Sequence, residues 1–359
     1  MSDVFEWMDR YDAEEVRFVR DKVTGMRAII AINDSTLGPT LGGVRMRPYA
    51  TEDEAMFDVM RLSRAMTYKC GVVGEDYGGA KAVIWGDPAT QKNEAYLRSF
   101  GRFVAMMGDR FGTGVDLNLD LHDAAEIAKE TDRILCHDAS AESTGSSGIS
   151  AAIGVFEGIK ALAESVWGSP DLTGKTVAIQ GLGALGWPLA GHLHRAGCAL
   201  TVADPSAGLT AAATREHSAT VVTPEAIYDA PCDIFVPAAI GGVLSEATIP
   251  RLKCRIVALA ANNPLLDEEA DEARLIAQGI AFVPDFVINA GGVLQAIGEL
   301  EGWSPAQIKR KCLNVGNLTR AILERSAASG QTPYQTARAL VEERLRLIPL
   351  VRRTHVPGG

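Results

Sequence analysis

A β-strand pattern that runs directly into a glycine-rich turn constrains the fold of this chain most strongly. Residues 175–180 (KTVAIQ) are largely apolar and β-branched. Gly181, Gly183 and Gly186 follow in the spacing GxGxxG, and a helical stretch begins there. The first glycine permits a tight turn, the second lets a phosphate approach the backbone, and the third allows the helix to pack close to the strand. This order of elements predicts a βα unit of a dinucleotide-binding fold.

An acidic residue follows at the end of the next predicted strand. Asp204 ends the apolar run 199–203, eighteen residues after Gly186. A carboxylate at that position can accept both hydroxyls of a ribose and would repel a 2′-phosphate, and no arginine follows it directly, so the sequence predicts NAD rather than NADP. The alternative is a glycine-rich turn that binds nothing. The residues expected around the pyrophosphate are Gly181, Leu182, Gly183, Ala184, Leu185 and Gly186.

The remaining pattern predicts two α/β domains. Before the small, polar segment 138–148, two strands (27–33 and 82–85) and helices over 51–69, 92–108 and 122–130 are expected. After it, a helix over 149–166 precedes strands that alternate with helical stretches, which implies a parallel sheet. These later strands are predicted at 175–180, 198–203, 233–236, 255–260 and 280–283.

We therefore expect an N-terminal mixed α/β domain over residues 1–142. A Rossmann-type dinucleotide-binding domain should occupy residues 143–319. The helices expected over 320–359 should pack back on the first domain.

Charge and cysteine content exclude several classes of protein. The 359 residues carry 35 basic and 45 acidic side chains, a formal net charge of −10, so we expect no nucleic-acid partner and no membrane. No apolar run reaches the length needed to span a bilayer, and the acidic N-terminus lacks the pattern of a secretory signal. The six cysteines are scattered without metal-ligand spacing, so reduced thiols, no metal and a cytoplasmic location are expected.

Two lysines stand out from the solvated majority. Lys69 ends a predicted helix, and Lys81 lies between the small residues 78–80 and an apolar strand. Burial at the mouth of a sheet, together with a cationic neighbour, would lower the pKa of the Lys81 ammonium and make it a base near neutral pH. Asp116 lies in the run GVDLNLD; because glycine and glutamate are missing where a calcium loop needs them, we reject that interpretation.

Seven segments together resemble the glutamate/leucine/phenylalanine/valine dehydrogenase family, and the bacterial valine, leucine and phenylalanine enzymes most of all. Their order and spacing fit over essentially the whole chain. The segments are LGPTLGGVR (37–45), AMTYK (65–69), YGGAK (77–81), GVDLN (114–118), GLGALG (181–186), LAANN (259–263) and PDFVINAGGV (284–293).

The resemblance implies reversible, NAD-dependent oxidative deamination of an L-amino acid to its 2-oxo acid and ammonia. It implies that Lys81 activates the attacking water and that Asp116 shuttles protons to and from the amine. Lys69, Gly42 and Gly43 would hold the substrate α-carboxylate, and Asn289 would orient the amino group and ribose. Ser150, Pro237, Ala238 and Asn262 would lie around the nicotinamide and its ribose. A homo-oligomer, a dimer or larger, is also implied, with residues 1–142 as the substrate and oligomerisation domain and a cleft between it and the dinucleotide-binding domain.

Three positions bear on the substrate side chain. Leu41 stands where glutamate-specific relatives carry a lysine, so a buried substrate carboxylate would stay unpaired, which argues against glutamate. By resemblance, Gly114 corresponds to a position that is often alanine in branched-chain enzymes and glycine in phenylalanine enzymes, and Ala296 to one usually filled by valine or leucine. Both differences would enlarge the pocket and favour a bulky or aromatic substrate, unless neighbours such as Met66 or Val293 fill the space. The sequence departs from the family pattern at Val44, Ala80 and Ala238.

Three other functions stay open at this point. The nearest is a branched-chain enzyme that acts on leucine or valine. Another is a related NAD-linked amine or hydroxy-acid dehydrogenase specialised for another metabolite. The third is a non-catalytic NAD-binding or sensing protein, against which the combination of Lys69, Lys81, Asp116 and Asn289 argues.

Overall fold

A computed structural model of the chain describes residues 3–135 and 147–351, and these divide into two compact units. The first unit contains residues 3–135, 299–301 and 338–351, and the second contains 147–298 and 302–337. The expected boundary at 142–143, most of the segment 138–148 and Cys136 lie outside the described residues.

The first unit is built on a six-stranded mixed sheet in the order β1-β2-β4-β3-β5-β6. β1 and β2 pair antiparallel, as do β2 and β4, whereas β3 pairs parallel with both β4 and β5. The strands are β1 (Glu15–Arg20), β2 (Arg27–Asp34), β3 (Thr40–Arg47), β4 (Gly78–Trp85), β5 (Phe111–Val115) and β6 (Ile134–Leu135).

Helices cover both faces of this sheet. They are α1 (Val4–Tyr11), α2 (Glu52–Val72), α3 (Glu94–Ala105) and α4 (Leu121–Ala128). Alternate residues of β2 enter different cores: Ala28, Ile30 and Ile32 pack in one hydrophobic cluster with residues of α3 and α4. Ile29 and Ala31 pack in a second cluster with residues of α1 and α2. This period of two decides which strand side chains face α2.

The predicted elements of this unit exist, but their bounds differ. The strand expected at 82–85 begins at Gly78, because the preceding glycines pair with β3 although they have no side chain to signal a strand. β3 and β5 are not predicted from the sequence for the same reason, since their glycines interrupt the apolar pattern.

The second unit contains a parallel five-stranded sheet in the order β11-β10-β7-β8-β9. The strands are β7 (Thr176–Gln180), β8 (Ala199–Ala203), β9 (Thr220–Val221), β10 (Ile234–Pro237) and β11 (Ile256–Val257). Since β8 and β9 lie on one side of β7 and β10 and β11 on the other, the order reverses beside β7. Ligands of doubly wound folds bind at such a reversal. The Rossmann-type prediction is confirmed.

Two strand predictions in this unit differ from the structure. Residues 280–283 form no strand and contribute only one bridge, between Ala281 and Ile256. The run 255–260 is a strand only at Ile256–Val257. Both runs are apolar because they are buried, which a short sequence pattern cannot distinguish from strand pairing.

The helices of the second unit include the long α5 (Ser147–Trp167), as predicted. α11 and α12 pack against α5 and belong to the second unit. The sequence predicts that the helices over 320–359 join the first domain; within the described residues, only the part of α13 from Arg338 onward does so. The other helices are α6 (Gly186–Arg195), α7 (Ala207–His217), α8 (Glu268–Ala277), α9 (Asp285–Ile288), α10 (Gly291–Leu300), α11 (Pro305–Leu313), α12 (Val315–Ser329) and α13 (Pro333–Val351).

Short 3-10 helices span Gly108–Arg110, Ala226–Asp229 and Ile249–Arg251. Within the described residues, no helix combines the length and apolar character needed to cross a membrane.

Candidate active site

Lys81 and Asp116 form a buried ion pair in the first unit. Lys81 lies in β4, where alternation with Ala80 and Ala82 turns it toward the α2 face, and it is 4% exposed. Asp116 follows β5 directly. The Lys81 ammonium donates to Asp116 Oδ2 at 2.5 Å, and the Leu117 amide donates to Oδ1 at 2.8 Å. Both carboxylate oxygens therefore have fixed partners.

The glycines of β3 make room for this pair. A Cβ on Gly43 would lie 3.0 Å from Lys81 Nζ and 3.1 Å from Asp116 Cβ. A Cβ on Gly42 would lie 1.6 Å from the Ala80 carbonyl oxygen, so only glycine allows β3 and β4 to approach here. Of the residues that the resemblance assigned to the substrate carboxylate, Gly43 thus borders the ion pair and Gly42 packs against the backbone of β4.

The environment lowers the pKa of both Lys81 and Asp116. Burial lowers the pKa of the Lys81 ammonium, Asp116 opposes that effect, and the cation Arg45 adds to it; the pKa is below the ordinary lysine value. Burial alone would raise the pKa of the Asp116 carboxyl, but Lys81 and Arg45 outweigh it and hold this pKa well below its usual range. A lysine with a lowered pKa therefore sits beside a carboxylate that stays ionised.

Arg45 is a member of this cluster that sequence reasoning did not single out. Its Nε donates to Asp116 Oδ2 at 2.9 Å, and its Nη1 donates to Asp58 Oδ1 at 3.3 Å. Tyr49 Oη donates to the other oxygen of Asp58 at 2.7 Å. The only sequence signal for a role of Arg45 is its position in the segment 37–45. Its contact with Asp116 could not be predicted, because the two residues lie far apart in the sequence.

Other predicted residues of this unit have distinct environments. Lys69 is buried in α2, the helix that packs against β4. Leu41 is buried in β3, whereas a Cβ on Gly114 would meet no atom closer than 3.9 Å among residues 3–135 and 147–351. The departures Val44 and Ala80 pack in the core on the sheet face opposite α2, and so face away from Lys81.

The glycine-rich turn of the second unit joins β7 to α6. Gly181 has a φ of +100°, and a Cβ on Gly186 would lie 2.0 Å from the Gly181 carbonyl oxygen. By contrast, a Cβ on Gly183 would have no atom of the described residues within 4 Å, so the backbone there leaves room for a ligand. No side chain caps the N-terminus of α6 within the described part of the chain. These features fit a pyrophosphate.

Asp204 follows β8 and faces the glycine-rich turn. Its Oδ2 accepts from the Leu182 amide at 2.8 Å, and its Oδ1 accepts from the Ser206 amide at 2.8 Å. Ala238 follows β10, on the other side of β7, and its amide donates to the Gln180 carbonyl at 2.8 Å. The strand order therefore brings the turn, Asp204 and the Pro237–Ala238 segment to the carboxyl end of one sheet.

The buried side-chain amide of Asn289 uses its nitrogen, but not its oxygen, in hydrogen bonds among the described residues. Its Nδ2 donates to the Ala260 carbonyl and to Asn262 Oδ1, each at 3.1 Å. Its Oδ1 is buried and has no hydrogen-bond partner among the described residues, which leaves an acceptor for a ligand donor. The structure thus places Asn289 in direct contact with Asn262.

Ser150, Val293 and Ala296 complete the predicted residues of this unit. Ser150 Oγ donates to Gln295 Oε1 at 2.7 Å, which links α5 to α10. Val293 and Ala296 also lie on α10; Val293 is buried and Ala296 is partly exposed.

Comparisons with known proteins agree over almost the whole chain. The family model "Glu/Leu/Phe/Val dehydrogenase, dimerisation domain" matches residues 13–131, and the model "Glutamate/Leucine/Phenylalanine/Valine dehydrogenase" matches residues 205–342.

Named relatives include enzymes for aliphatic and aromatic amino acids. A leucine dehydrogenase of Geobacillus stearothermophilus is 38% identical over 99% of this chain and 97% of its own length. A phenylalanine dehydrogenase of Bacillus thermotolerans is 40% identical over 96% of this chain and 90% of its own. The crystal structure of L-tryptophan dehydrogenase from Nostoc punctiforme superposes with a TM-score of 0.78, is 39% identical, and covers 96% of this chain and 98% of that one.

Proposed function

Because the chain belongs to the Glu/Leu/Phe/Val dehydrogenase family, and is therefore an oxidoreductase that acts on amino acids, we propose that it carries out NAD-dependent oxidative deamination. The proposed substrate is an L-amino acid with a large apolar or aromatic side chain. It reacts reversibly with NAD and water to give the 2-oxo acid, ammonia, NADH and a proton.

The buried pair of Lys81 and Asp116 is the observation that carries this proposal. Hydrolysis of an iminium carbon needs a base that can take a proton from water, and Lys81 is suited to this because its pKa is lowered. The amine also needs a group that moves protons, and the fixed carboxylate of Asp116 fills that role. Lys69 and the Gly42–Gly43 backbone hold the substrate α-carboxylate. Simple binding of a dinucleotide requires none of these groups.

The second unit supplies the cofactor site in this proposal. The open backbone at Gly183 and the uncapped N-terminus of α6 suit a pyrophosphate. Asp204 is at the position for ribose hydroxyls and disfavours a 2′-phosphate, which supports NAD over NADP. The unpartnered Oδ1 of Asn289 suits a ligand hydroxyl or amide. NAD, when bound, provides the acceptor for the hydride of the substrate Cα.

An aromatic or bulky substrate is supported by the open space at Gly114, the small Ala296 and the 39% identity to an L-tryptophan dehydrogenase. A branched-chain substrate is the second candidate, since leucine dehydrogenases match with 38% identity over 99% of the chain. Buried Leu41 argues against glutamate in both cases. For the oligomer, the match to a family model described as a dimerisation domain supports a dimer or larger.

The test is NADH formation with a panel of L-amino acids: tryptophan, phenylalanine, leucine, valine and glutamate. We expect kcat/KM to be highest for an aromatic substrate and to be negligible for glutamate and for the D-isomer of the best substrate. Higher kcat/KM for leucine or valine would establish the second candidate. No oxidation of any member would overturn the proposal.

The pocket argument has its own variant. Gly114→Ala combined with Ala296→Val should move the preference toward smaller aliphatic substrates by about 10-fold or more, since one or two methyl groups in an apolar pocket discriminate at about that level. Ala105→Val, at the end of an unrelated helix, is the control. An unchanged ratio of kcat/KM for phenylalanine and valine would show that these two positions do not shape the pocket.

A further inference from the structure

We propose that Arg45 is a positioning residue that holds the Asp116 carboxylate against Lys81 and sets the charge balance of that pair. The inference rests on the proposed function, because it concerns the same two proton-handling groups. It adds a residue whose role neither the sequence nor the family comparison indicated.

The sheet order places Arg45 between the two groups. β3 lies between β4, which carries Lys81, and β5, which Asp116 follows. Asp116 Oδ2 accepts from Arg45 Nε at 2.9 Å and from Lys81 Nζ at 2.5 Å, so one oxygen is shared by two cations. The Arg45 side chain is only 13% exposed, which limits solvent screening of these contacts.

Arg45 is itself held by a second carboxylate. Asp58 of α2 has a side chain 6% exposed and lies 3.3 Å from Arg45 Nη1. Tyr49 donates to the same carboxylate, and burial raises the pKa of the Tyr49 hydroxyl, so this donor stays protonated. A planar guanidinium can serve two carboxylates through different nitrogens at fixed angles, which a lysine ammonium cannot reproduce.

The charges explain why a permanent cation is useful here. When Lys81 loses its proton to act as a base, Asp116 loses one of its two cations. Arg45 stays protonated and keeps the carboxylate ionised. The ionisable groups that act on Lys81 are Asp116, Arg45 and Asp58, while Arg47 and Arg61 contact Asp58 from the periphery at 3.9 and 3.8 Å.

The signs of the expected changes follow from charge. A nearby cation lowers the pKa of both an ammonium and a carboxyl, so Arg45→Gln should raise the pKa of Lys81 and of Asp116. Since Lys81 acts as a base only when neutral, the acid limb of the kcat profile should move to higher pH. Asp58→Asn removes an anion near Lys81 and should move the limb to lower pH. A purely structural role for Arg45 would not give opposite shifts in these two variants.

The experiment compares kcat against pH for the wild type, Arg45→Gln, Arg45→Lys and Asp58→Asn, with Arg47→Gln as the matched control from the same strand. We expect Arg45→Gln to shift the acid limb upward by about one pH unit. Arg45→Lys should restore the limb but not the full kcat, because the charge returns without the geometry. Arg47→Gln should match the wild type. An unshifted limb in Arg45→Gln, or shifts of the same sign in Arg45→Gln and Asp58→Asn, would overturn the proposal.

A second readout does not depend on turnover. The pH dependence of Lys81 acetylation by acetic anhydride, followed by mass spectrometry, reports the ionisation of its amine. The midpoint should rise in Arg45→Gln and stay unchanged in Arg47→Gln; an unchanged midpoint in Arg45→Gln overturns the inference. A shifted midpoint in an enzyme that oxidises no amino acid would reject the proposed function and leave the role of Arg45 standing. If Arg45→Gln does not fold, Arg45→Lys decides: an unshifted acid limb with a lowered kcat supports the role of Arg45, and an unchanged kcat overturns it.

Discussion

At the scale of single residues, the candidate site depends on side chains that are absent as much as on those present. Gly43 and Gly114 are paired in register on β3 and β5. A Cβ on Gly43 would meet Lys81 Nζ at 3.0 Å, whereas one on Gly114 would come no closer than 3.9 Å to any atom that the structure describes. One glycine therefore makes room for the ion pair, and the other leaves free space.

This pair of glycines gives a prediction with an internal control. Gly43→Ala should lower kcat by about 100-fold, since displacement of a reacting group by about 1 Å costs that much. Gly114→Ala should retain turnover and change only the substrate preference. Steady-state kinetics of both variants measure this, with circular dichroism to confirm folding. Equal losses of kcat in the two variants would contradict the account.

The ionisation of Lys81 predicts the pH dependence of turnover. Burial lowers the pKa of its ammonium, and the neutral amine is the active form, so kcat should rise with pH and level off below the ordinary lysine pKa of about 10.4. A comparison of kcat in H2O and in D2O tests whether proton transfer contributes to that rate. A kcat that keeps rising beyond the ordinary lysine value would argue against Lys81 as the base.

The sequence could predict Lys81 and Asp116 because both lie in distinctive segments. It could not predict Arg45, because its contact with Asp116 arises only when β3 and β5 pair. Charge partners across a sheet leave no periodic signal along the chain. The face of the sheet that each residue occupies also had to come from the structure: Val44 and Ala80 pack in the core on the face opposite Lys81.

At the scale of elements, the turn between β7 and α6 separates a packing glycine from a binding glycine. A Cβ on Gly186 would lie 2.0 Å from the Gly181 carbonyl oxygen, but one on Gly183 would have no neighbour within 4 Å in the part of the chain that the structure describes. The motif thus contains one glycine, Gly186, that the packing of the turn requires, and another, Gly183, that this packing does not require.

Two substitutions test this division. Gly186→Ala should lower the Tm, because the clash is with backbone that cannot move without distorting the turn. Gly183→Ala should leave the Tm unchanged yet weaken NAD binding by about 10-fold or more, since the added methyl group blocks approach to the backbone. Thermal unfolding and fluorescence titration with NAD measure the two effects. Normal NAD affinity in Gly183→Ala would show that the pyrophosphate does not bind at this turn.

The strand and helix patterns predicted most elements because burial repeats at the period of each element. Strands rich in glycine escaped notice, as β3 did, since glycine has no side chain to alternate. Residues 280–283 look like a strand in sequence but form only a bridge at Ala281, because a short buried run has the same apolar pattern whether or not it pairs as a strand.

At the scale of the whole molecule, the first unit is closed by a distant part of the chain. Arg344 of α13 donates to the carbonyls of Gly74 at 2.8 Å and Glu75 at 2.6 Å, and it pairs with Asp76. Val341 of the same helix occupies the space that a Cβ on Gly71 would need. The sequence predicted helices here but could not say which of them join the first unit.

This closure predicts a stability effect. Arg344→Ala should destabilise the protein by about 1–3 kcal/mol, because two carbonyls lose a charged donor. Arg346→Ala, an exposed residue of the same helix, should have no measurable effect. Urea unfolding of both variants measures the difference. Equal stabilities would show that α13 does not support the first unit.

The central claim is that Lys81 is the base of an L-amino acid dehydrogenase, and Lys81→Ala tests it most directly. Lys92→Ala is the matched control, since Lys92 also pairs with an aspartate of the first unit, at 2.8 Å from Asp123 Oδ2. With the best substrate of the panel, NADH formation by Lys81→Ala should fall by about 10²- to 10⁴-fold while NAD affinity is retained, and Lys92→Ala should stay near the wild-type rate. Near wild-type NADH formation by Lys81→Ala would contradict the account.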